Sequence, residues 1–407
     1  MELTGINRRI TYWRERRGLT QSDFGALMGR SRSWVQKLES GDRQLDPRIS
    51  VLEKVSEVLS VRLDVLLSDE ASAQAAECVD AAEVAAIRAA LHRYDVVTGV
   101  FDTAGSAVPS LEAVSRQASY GWEAFQAAHY SALGRLLPDL IVAAQLAAAA
   151  ADPGQRRDAV RQLSLVYQLV TVVLLKFSDA ALGWHAADRA ILVAEQSADP
   201  VVMASATRFI ADALLHIGQQ GAAVQMCTAA AARLHDDLMV GSPAGISVFG
   251  MLFLKGAVAA AAVGDTSGCA DLLAAAESAA GRLGRDGNAM WTGFGPTNCQ
   301  VHRVATHVLL GDGSAACAAA EKIEPAALAS LPRERRAAHL VDVAHGLAMS
   351  GQRDKALSTL LAAERLAAQE VHCRPYAREV ITGLACTSVP VPSRELRGLA
   401  ERAGAEL

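Results

Sequence analysis

Between Ile6 and Leu67 the apolar positions recur three and four residues apart in short blocks, the period of helices that each bury one face. The residues between the blocks mark where each helix starts and stops. Ile6–Arg17 predicts a first helix closed by Gly18. Thr20 caps a second, with Asp23 at its third position in a variant capping box, and that helix runs to Met28. Gly29 supplies a turn conformation that residues with a Cβ resist, Ser31 caps a third helix, and Gly41 ends it. Asp46-Pro47 predicts a cap and first-position proline for a fourth helix to about Leu59, and Leu63–Leu67 a last turn. In the third helix Val35 and Leu38 face inward with Trp34 at the edge of the core, while Arg32, Ser33, Gln36 and Lys37 face outward together.

The pattern then changes. SDEASAQAAECVDAAEV, residues 68–84, is small and polar and reads as a linker passing into a helix. Beyond it helices alternate with short glycine turns: Gly218-Gln219, Gly264-Asp265, Gly311-Asp312 and Gly351-Gln352, separated by 46, 47 and 40 residues. Five positions after each glycine stands a small residue, Ala223, Cys269, Ala316 or Ala356, which lets two helices approach closely. Helix pairs recurring in this way predict an α-solenoid of tetratricopeptide-like units, with an irregular helical bundle as the alternative. The first helix of each pair, at 201–216, 245–262, 296–310 and 336–349, is expected to line the concave face. The expected division is 1–68, a linker at 69–80, and a repeat domain at 81–400.

Composition supports an all-α chain. Of 407 residues 51% are hydrophobic, yet only 5% are aromatic and alanine, the best helix former, is abundant. The longest apolar run, Leu163–Leu175, is shorter than a membrane span and carries Gln168 and Thr171. No apolar signal segment opens the chain, so a cytoplasmic location is expected. Seven scattered cysteines without a CxxC pair read as small buried hydrophobes. Charge adds one asymmetry. The first 48 residues carry ten Arg/Lys against six Asp/Glu, a balance of +4 in a chain of net charge −5. A basic head on an acidic body suggests that the head meets a polyanion.

The outward residues of the third helix suit that partner. Arg32 and Lys37 can donate to guanine, Gln36 can pair with adenine, and Ser33 adapts to either. Gln21 and the amides opening the second helix would hold one phosphate, and Arg43 another. The stretch from Gly18 through LESG at 38–41 to LDVLL at 63–67 resembles the Cro/phage-repressor helix-turn-helix, the XRE type. The resemblance implies a five-helix domain with Arg32, Ser33 and Lys37 at base-reading positions and Gln21 on the backbone. Gly25 departs from it, standing where the family usually has alanine, which is expected to loosen the second helix.

In the body MWTGFGPTNCQVH, residues 290–302, concentrates rare residue types. Two of the chain's three asparagines, Asn288 and Asn298, fall in its neighbourhood, with Trp291 and Phe294 beside them. Asn298 and His302 share a helix face, so an amide and an imidazole flanked by rings suggest a ligand pocket. Taken singly, Trp291 and Phe294 read rather as loop anchors and His302 as a satisfied core histidine, and it is the cluster that favours a binding role. Arg208 and Asp212 on one lining helix, and His339 and Asp342 on another, complete the candidate ligand set. WEAFQAAHYSALGRLLPDL, GWHAADRA, FGPTNCQVHRV and RPYAREVITGL resemble helical sensor domains of actinobacterial regulators that pair an XRE-type head with a tetratricopeptide-like body. That resemblance implies a dimeric cytoplasmic transcription factor. A looser one to peptide-sensing regulators would imply asparagines along the groove. Their scarcity favours a small molecule over a peptide effector.

No phosphate-binding loop, HExxH or GxSxG motif occurs, and no enzyme activity, cofactor or metal is expected. His235-Asp236-Asp237 reads as a solvated helix end. The expectation is a homodimeric regulator that reads a palindromic double-stranded operator and is gated by a ligand in the repeat domain. The alternative is a constitutive DNA-binding factor or scaffold whose repeats only dimerise or dock a peptide or protein.

Overall fold

The computed structural model describes residues 4–41, 47–69, 79–93, 108–177, 179–240, 242–386 and 392–405. The chain divides into two compact units, 1–85 and 86–407, with the division inside the helix Ala81–Leu91. The expected linker lies for the most part outside the described residues.

The first unit carries α1 (Ile6–Arg16), α2 (Gln21–Met28), α3 (Arg32–Ser40), α4 (Ile49–Leu59) and α5 (Leu63–Leu67). Its core is Ile10, Trp13, Phe24, Val35, Leu38, Leu52, Val55, Leu59 and Leu66, with Trp34 partly buried against it. The expected caps are present. Thr20 and Asp23 form a reciprocal capping box, Ser31 accepts from the Trp34 amide, and Gly29 and Gly41 take left-handed φ of 66° and 79°. The fourth helix differs from expectation. Pro47 is buried ahead of it, and Arg48 becomes the N-cap, its carbonyl accepting from the Val51 and Leu52 amides. Buried Arg9 donates from Nε to the Leu66 carbonyl at 2.7 Å and so satisfies the end of α5. The opening of α6 (Ala81–Leu91) completes this unit, with Glu83 taking Arg16 through two 2.8 Å hydrogen bonds.

The second unit is built of helices throughout its described residues. After α7 (Leu111–Gln126) and α8 (Tyr130–Ala150) come hairpins: α9 (Arg156–Lys176) with α10 (Ala180–Ser197), α11 (Pro200–His216) with α12 (Gln220–Met239), and α13 (Pro243–Ala262) with α14 (Thr266–Leu283). They continue as α15 (Pro296–Leu309) with α16 (Gly313–Ala320), then, after α17 (Pro325–Ser330), as α18 (Arg333–Met349) with α19 (Arg353–Leu366). The unit ends with α20 (Ala368–His372), α21 (Pro375–Cys386) and α22 (Arg394–Ala403). Helices α9, α11, α13, α15 and α18 touch in succession and form the inner layer of a tetratricopeptide-like stack.

The glycine turns fix the hairpins. Gly218, Gly264, Gly311 and Gly351 all have φ between 75° and 82°, where a Cβ is disfavoured. Ala223, Cys269, Ala316 and Ala356 are all buried at the close approaches that follow. Cys227, Cys269 and Cys299 are free and buried as expected, whereas Cys317 is half-buried, Cys386 is exposed and Cys373 is disulfide-bonded. Three helices, Tyr130–Ala150, Arg156–Lys176 and Pro243–Ala262, are long and apolar enough to cross a membrane. Here much of their apolar surface is packed against neighbours, as with Val166, Val170 and Val173 of α9 and Val248, Leu252 and Ala257 of α13.

The stack closes on itself. Lys176, ending α9, meets Glu334 at 2.5 Å and Glu370 at 2.7 Å, while the Tyr130 hydroxyl donates to Glu370 at 2.5 Å and accepts from Lys176 at 3.0 Å. Arg374 joins Glu370 from the other side at 3.2 Å. These groups tie α8 and α9, near the start of the unit, to α18 and α20 near its end. Replacing the ammonium should therefore be costly. Lys176→Met leaves two buried carboxylates without their shared cation and is expected to lower unfolding free energy by about 3–5 kcal/mol in urea or thermal denaturation. Unchanged stability would show that solvent already neutralises them.

Candidate nucleic-acid interface and ligand cavity

Helix α3 stands on α2 at a separation set by Gly25. A Cβ there would meet the Arg30 carbonyl oxygen at 2.8 Å and the Ser31 backbone at 3.2 Å. The glycine thus permits a close approach of the turn, a role beyond the loosening expected from the sequence. Arg32, Ser33, Gln36 and Lys37 are all exposed on the face of α3 opposite Val35 and Leu38. Ser33 shares a 3.0 Å hydrogen bond with Ser31, and Arg30 lies over the Trp34 ring. Gln21 opens α2 half-buried and donates to Glu39 at 2.8 Å. Glu39 is itself held by Arg14 at 2.6 Å, a support that the spacing of residues did not reveal. Arg43 lies outside the described residues.

In the second unit the inner layer and the closing helices surround a cavity of about 480 Å³. Arg208, Asp212, Trp291, His302 and Asp342 of the candidate set line it. Phe294, Asn298 and His339 do not. Phe294 is fully buried against Gly250, where a Cβ would fall 1.9 Å from its ring, so it anchors the loop preceding α15. Asn298 is buried beneath that loop, its Nδ2 3.4 Å from the Thr292 carbonyl. His339 is buried with Nδ1 unpaired among the described residues.

The loop places Trp291 with care. Met290 and Trp291 both adopt left-handed φ, 52° and 51°, which strains residues with a Cβ. Three groups hold them there. Trp291 stacks on Trp122 at 5.3 Å and 11°, Gln126 donates to the Trp291 carbonyl, and Arg208 donates to the Met290 carbonyl at 3.2 Å. Gln126 and Asn288 also exchange two amide hydrogen bonds at 2.8 and 2.9 Å. Trp122, Phe125 and Phe209 extend the aromatic wall, and Lys176, Lys255, Arg335, Arg374 and Tyr376 add polar groups, none of them among the candidate ligand residues, although Arg374 and Tyr376 open the resemblance stretch RPYAREVITGL. Trp122 and Phe125 sit in the resemblance stretch WEAFQAAHYSALGRLLPDL, which could have flagged them. A second depression of about 460 Å³, bounded by Gln126, Asn288 and Pro332, also borders the loop.

Burial sets the charge states of the cavity. His302 donates from Nδ1 to the Asn298 carbonyl at 2.8 Å, and burial beside Arg335 and Lys255 pulls its pKa down to about 3. Burial alone lowers His339 to about 4, and burial with the nearby Glu370 raises Asp342 to about 6 against the pull of Arg374 and Tyr376. Desolvation also takes Arg208 down to about 10, despite nearby Asp212. Asp212 itself pairs with Lys255 at 2.8 Å. Among the described residues no three His, Cys, Asp or Glu side chains are grouped to hold a metal ion.

The two imidazoles have folded pKa values below their unfolded value, so their stability contribution is present above pH 6.5 and lost as pH falls towards 4 and 3. Asp342 acts oppositely, since its raised pKa contributes stability below 3.8 that is lost as pH rises through about 6. Each group changes stability by roughly 1 kcal/mol per pH unit within its window. Between pH 6 and 4, His339→Leu is expected to flatten the acid loss of stability and Asp342→Asn to steepen it. Denaturation midpoints across that range check the signs, and parallel pH profiles for all three proteins would show these groups to be solvated.

Comparison with known proteins places the head. Residues 8–67 match the family model described as a helix-turn-helix domain. No curated protein sequence matches the chain. Among solved structures, similarity is found to the crystal structure of Bacillus thuringiensis PlcR in complex with the peptide PapR7 and DNA. The identity is 13%, with 69% of this chain and 95% of that chain covered and a TM-score of 0.27. The first unit is therefore a helix-turn-helix domain, followed in the sequence by a body of tetratricopeptide-like helix pairs.

Proposed function

We propose that this protein is a cytoplasmic, homodimeric transcriptional regulator that reads a palindromic operator through α3 and senses a small molecule in the body. The observation that carries this reading is the single exposed face bearing Arg32, Ser33, Gln36 and Lys37, on a helix whose other face is core. Those groups hold donors and acceptors suited to base edges in a major groove. Gln21, positioned by Glu39, and Arg43 are assigned to phosphates. Two heads bind tighter and more selectively than one, so dimerisation is assigned to the body.

The sensing role rests on the cavity. Its volume falls in the range of small-molecule sites, and its wall combines aromatic rings with convergent charged and polar groups. A ligand that binds one arrangement of the stack better than another shifts the population that can hold DNA.

The test is binding of the purified protein to its own upstream DNA at fixed salt, with and without small-molecule extract of the producing cells. Release or tightening supports gating, whereas tight binding indifferent to extract supports a constitutive factor or a scaffold. Arg32→Ala or Lys37→Ala should weaken operator binding by about 1–3 kcal/mol with little change on random DNA. Equal loss on both DNAs would reassign these residues to phosphate contacts.

A further inference from the structure

The cavity wall holds five cations, Lys176, Arg208, Lys255, Arg335 and Arg374, and four of them face a carboxylate. Lys176 and Arg374 share Glu370, Lys255 has Asp212, and Arg335 lies 4.0 Å from Glu334. Arg208 has no carboxylate within ion-pair distance among the described residues. Its residue is only 4% exposed, its Nε has no partner, and its single hydrogen bond goes to the Met290 carbonyl. One flank of the guanidinium lies over the Phe209 ring at 4.4 Å. A buried guanidinium whose Nε has no partner is expensive, and burial has already lowered its pKa to about 10.

We propose that the cavity takes a small monoanionic ligand, a carboxylate on an apolar or aromatic body, with Arg208 as the anion anchor. This rests on the sensing role proposed above and names the chemistry of that site. The planar fork of Arg208 matches a carboxylate in two parallel hydrogen bonds. Arg335, weakly engaged by a Glu334 already committed to Lys176, is the second cation available to it. A dianion is less suited, because Asp212, Glu334, Asp342 and Glu379 also line the wall. The body of the ligand meets Trp122, Phe125, Phe209 and Trp291. The anion also reaches the group that holds Met290 in its strained conformation, so occupancy bears directly on the Trp291 loop.

The experiment uses the full chain and two matched probe pairs, 2-naphthoate and 4-phenylbutanoate against their primary amides, by calorimetry and thermal shift. The acids should bind about tenfold or more tighter than the amides, as expected for hydrogen bonds to a charged group. Arg208→Met should erase that difference while leaving the amides' affinity within about twofold. Acids and amides binding alike, or neither binding, would overturn the anion site. So would an acid-over-amide preference that persists unchanged in Arg208→Met. DNA binding separates the two readings. If acids bind through Arg208 without changing operator affinity, the anion site stands and gating fails. If extract releases DNA while acids and amides bind alike, gating stands and the carboxylate assignment fails.

Discussion

The body depends on one buried ammonium. Lys176 sits where two helix pairs from opposite ends of the stack converge, between Glu334 and Glu370 and over the rings of Phe125 and Tyr130. An ammonium is strongly hydrated in water, so its burial is tolerable only with near-complete replacement of that shell. Two carboxylates and the Tyr130 hydroxyl provide the replacement. Tyr130 keeps its proton because burial and the adjoining Glu370 and Glu334 push its pKa well up, and it remains able to donate to Glu370. Satisfying every member of the network requires both ends of the stack to be present, which turns an open superhelix into one that encloses space.

The enclosed space inherits its chemistry from that closure. Glu334 and Arg374 belong both to the network and to the cavity wall, so the polar end of the cavity and the clamp are continuous. The opposite wall is set by packing. Gly250 leaves room for Phe294, whose complete burial, worth about 1.5–3 kcal/mol, seats the loop that carries Trp291. The strain of two left-handed residues in that loop is sustained by the Trp122 stack and by hydrogen bonds from Gln126 and Arg208.

The head follows a different logic. It is a small domain in which most stabilising devices are local: reciprocal caps, left-handed glycines and one apolar stripe per helix. Its longer-range polar contacts serve to satisfy buried arginines, as Arg14 does through Glu39 and Arg16 through Glu83. The Arg14–Glu39 pair then fixes Gln21 at the start of α2.

Taken by itself, the sequence determined where most helices begin and end and which face of α3 is exposed. Thr20, Ser31, Gly29 and Gly41 act on backbone groups within four residues, and Gly218, Gly264, Gly311 and Gly351 act on their own φ, so their effects are written in local order. The proline start of α4 was misplaced, since Pro47 is buried one residue ahead of the Arg48 N-cap rather than opening the helix. Only the tertiary structure decided which of the polar residues on the lining helices meet. Asn298 and His302 share a face at helical spacing, yet one is sealed under a loop and the other reaches the cavity. Arg208 became the unpaired cation because Asp212 is taken by Lys255 on a neighbouring helix. Tyr130 and Glu370 meet across 240 residues. Contacts of that range leave no periodic trace, since they depend on how many helix pairs intervene and how each one turns.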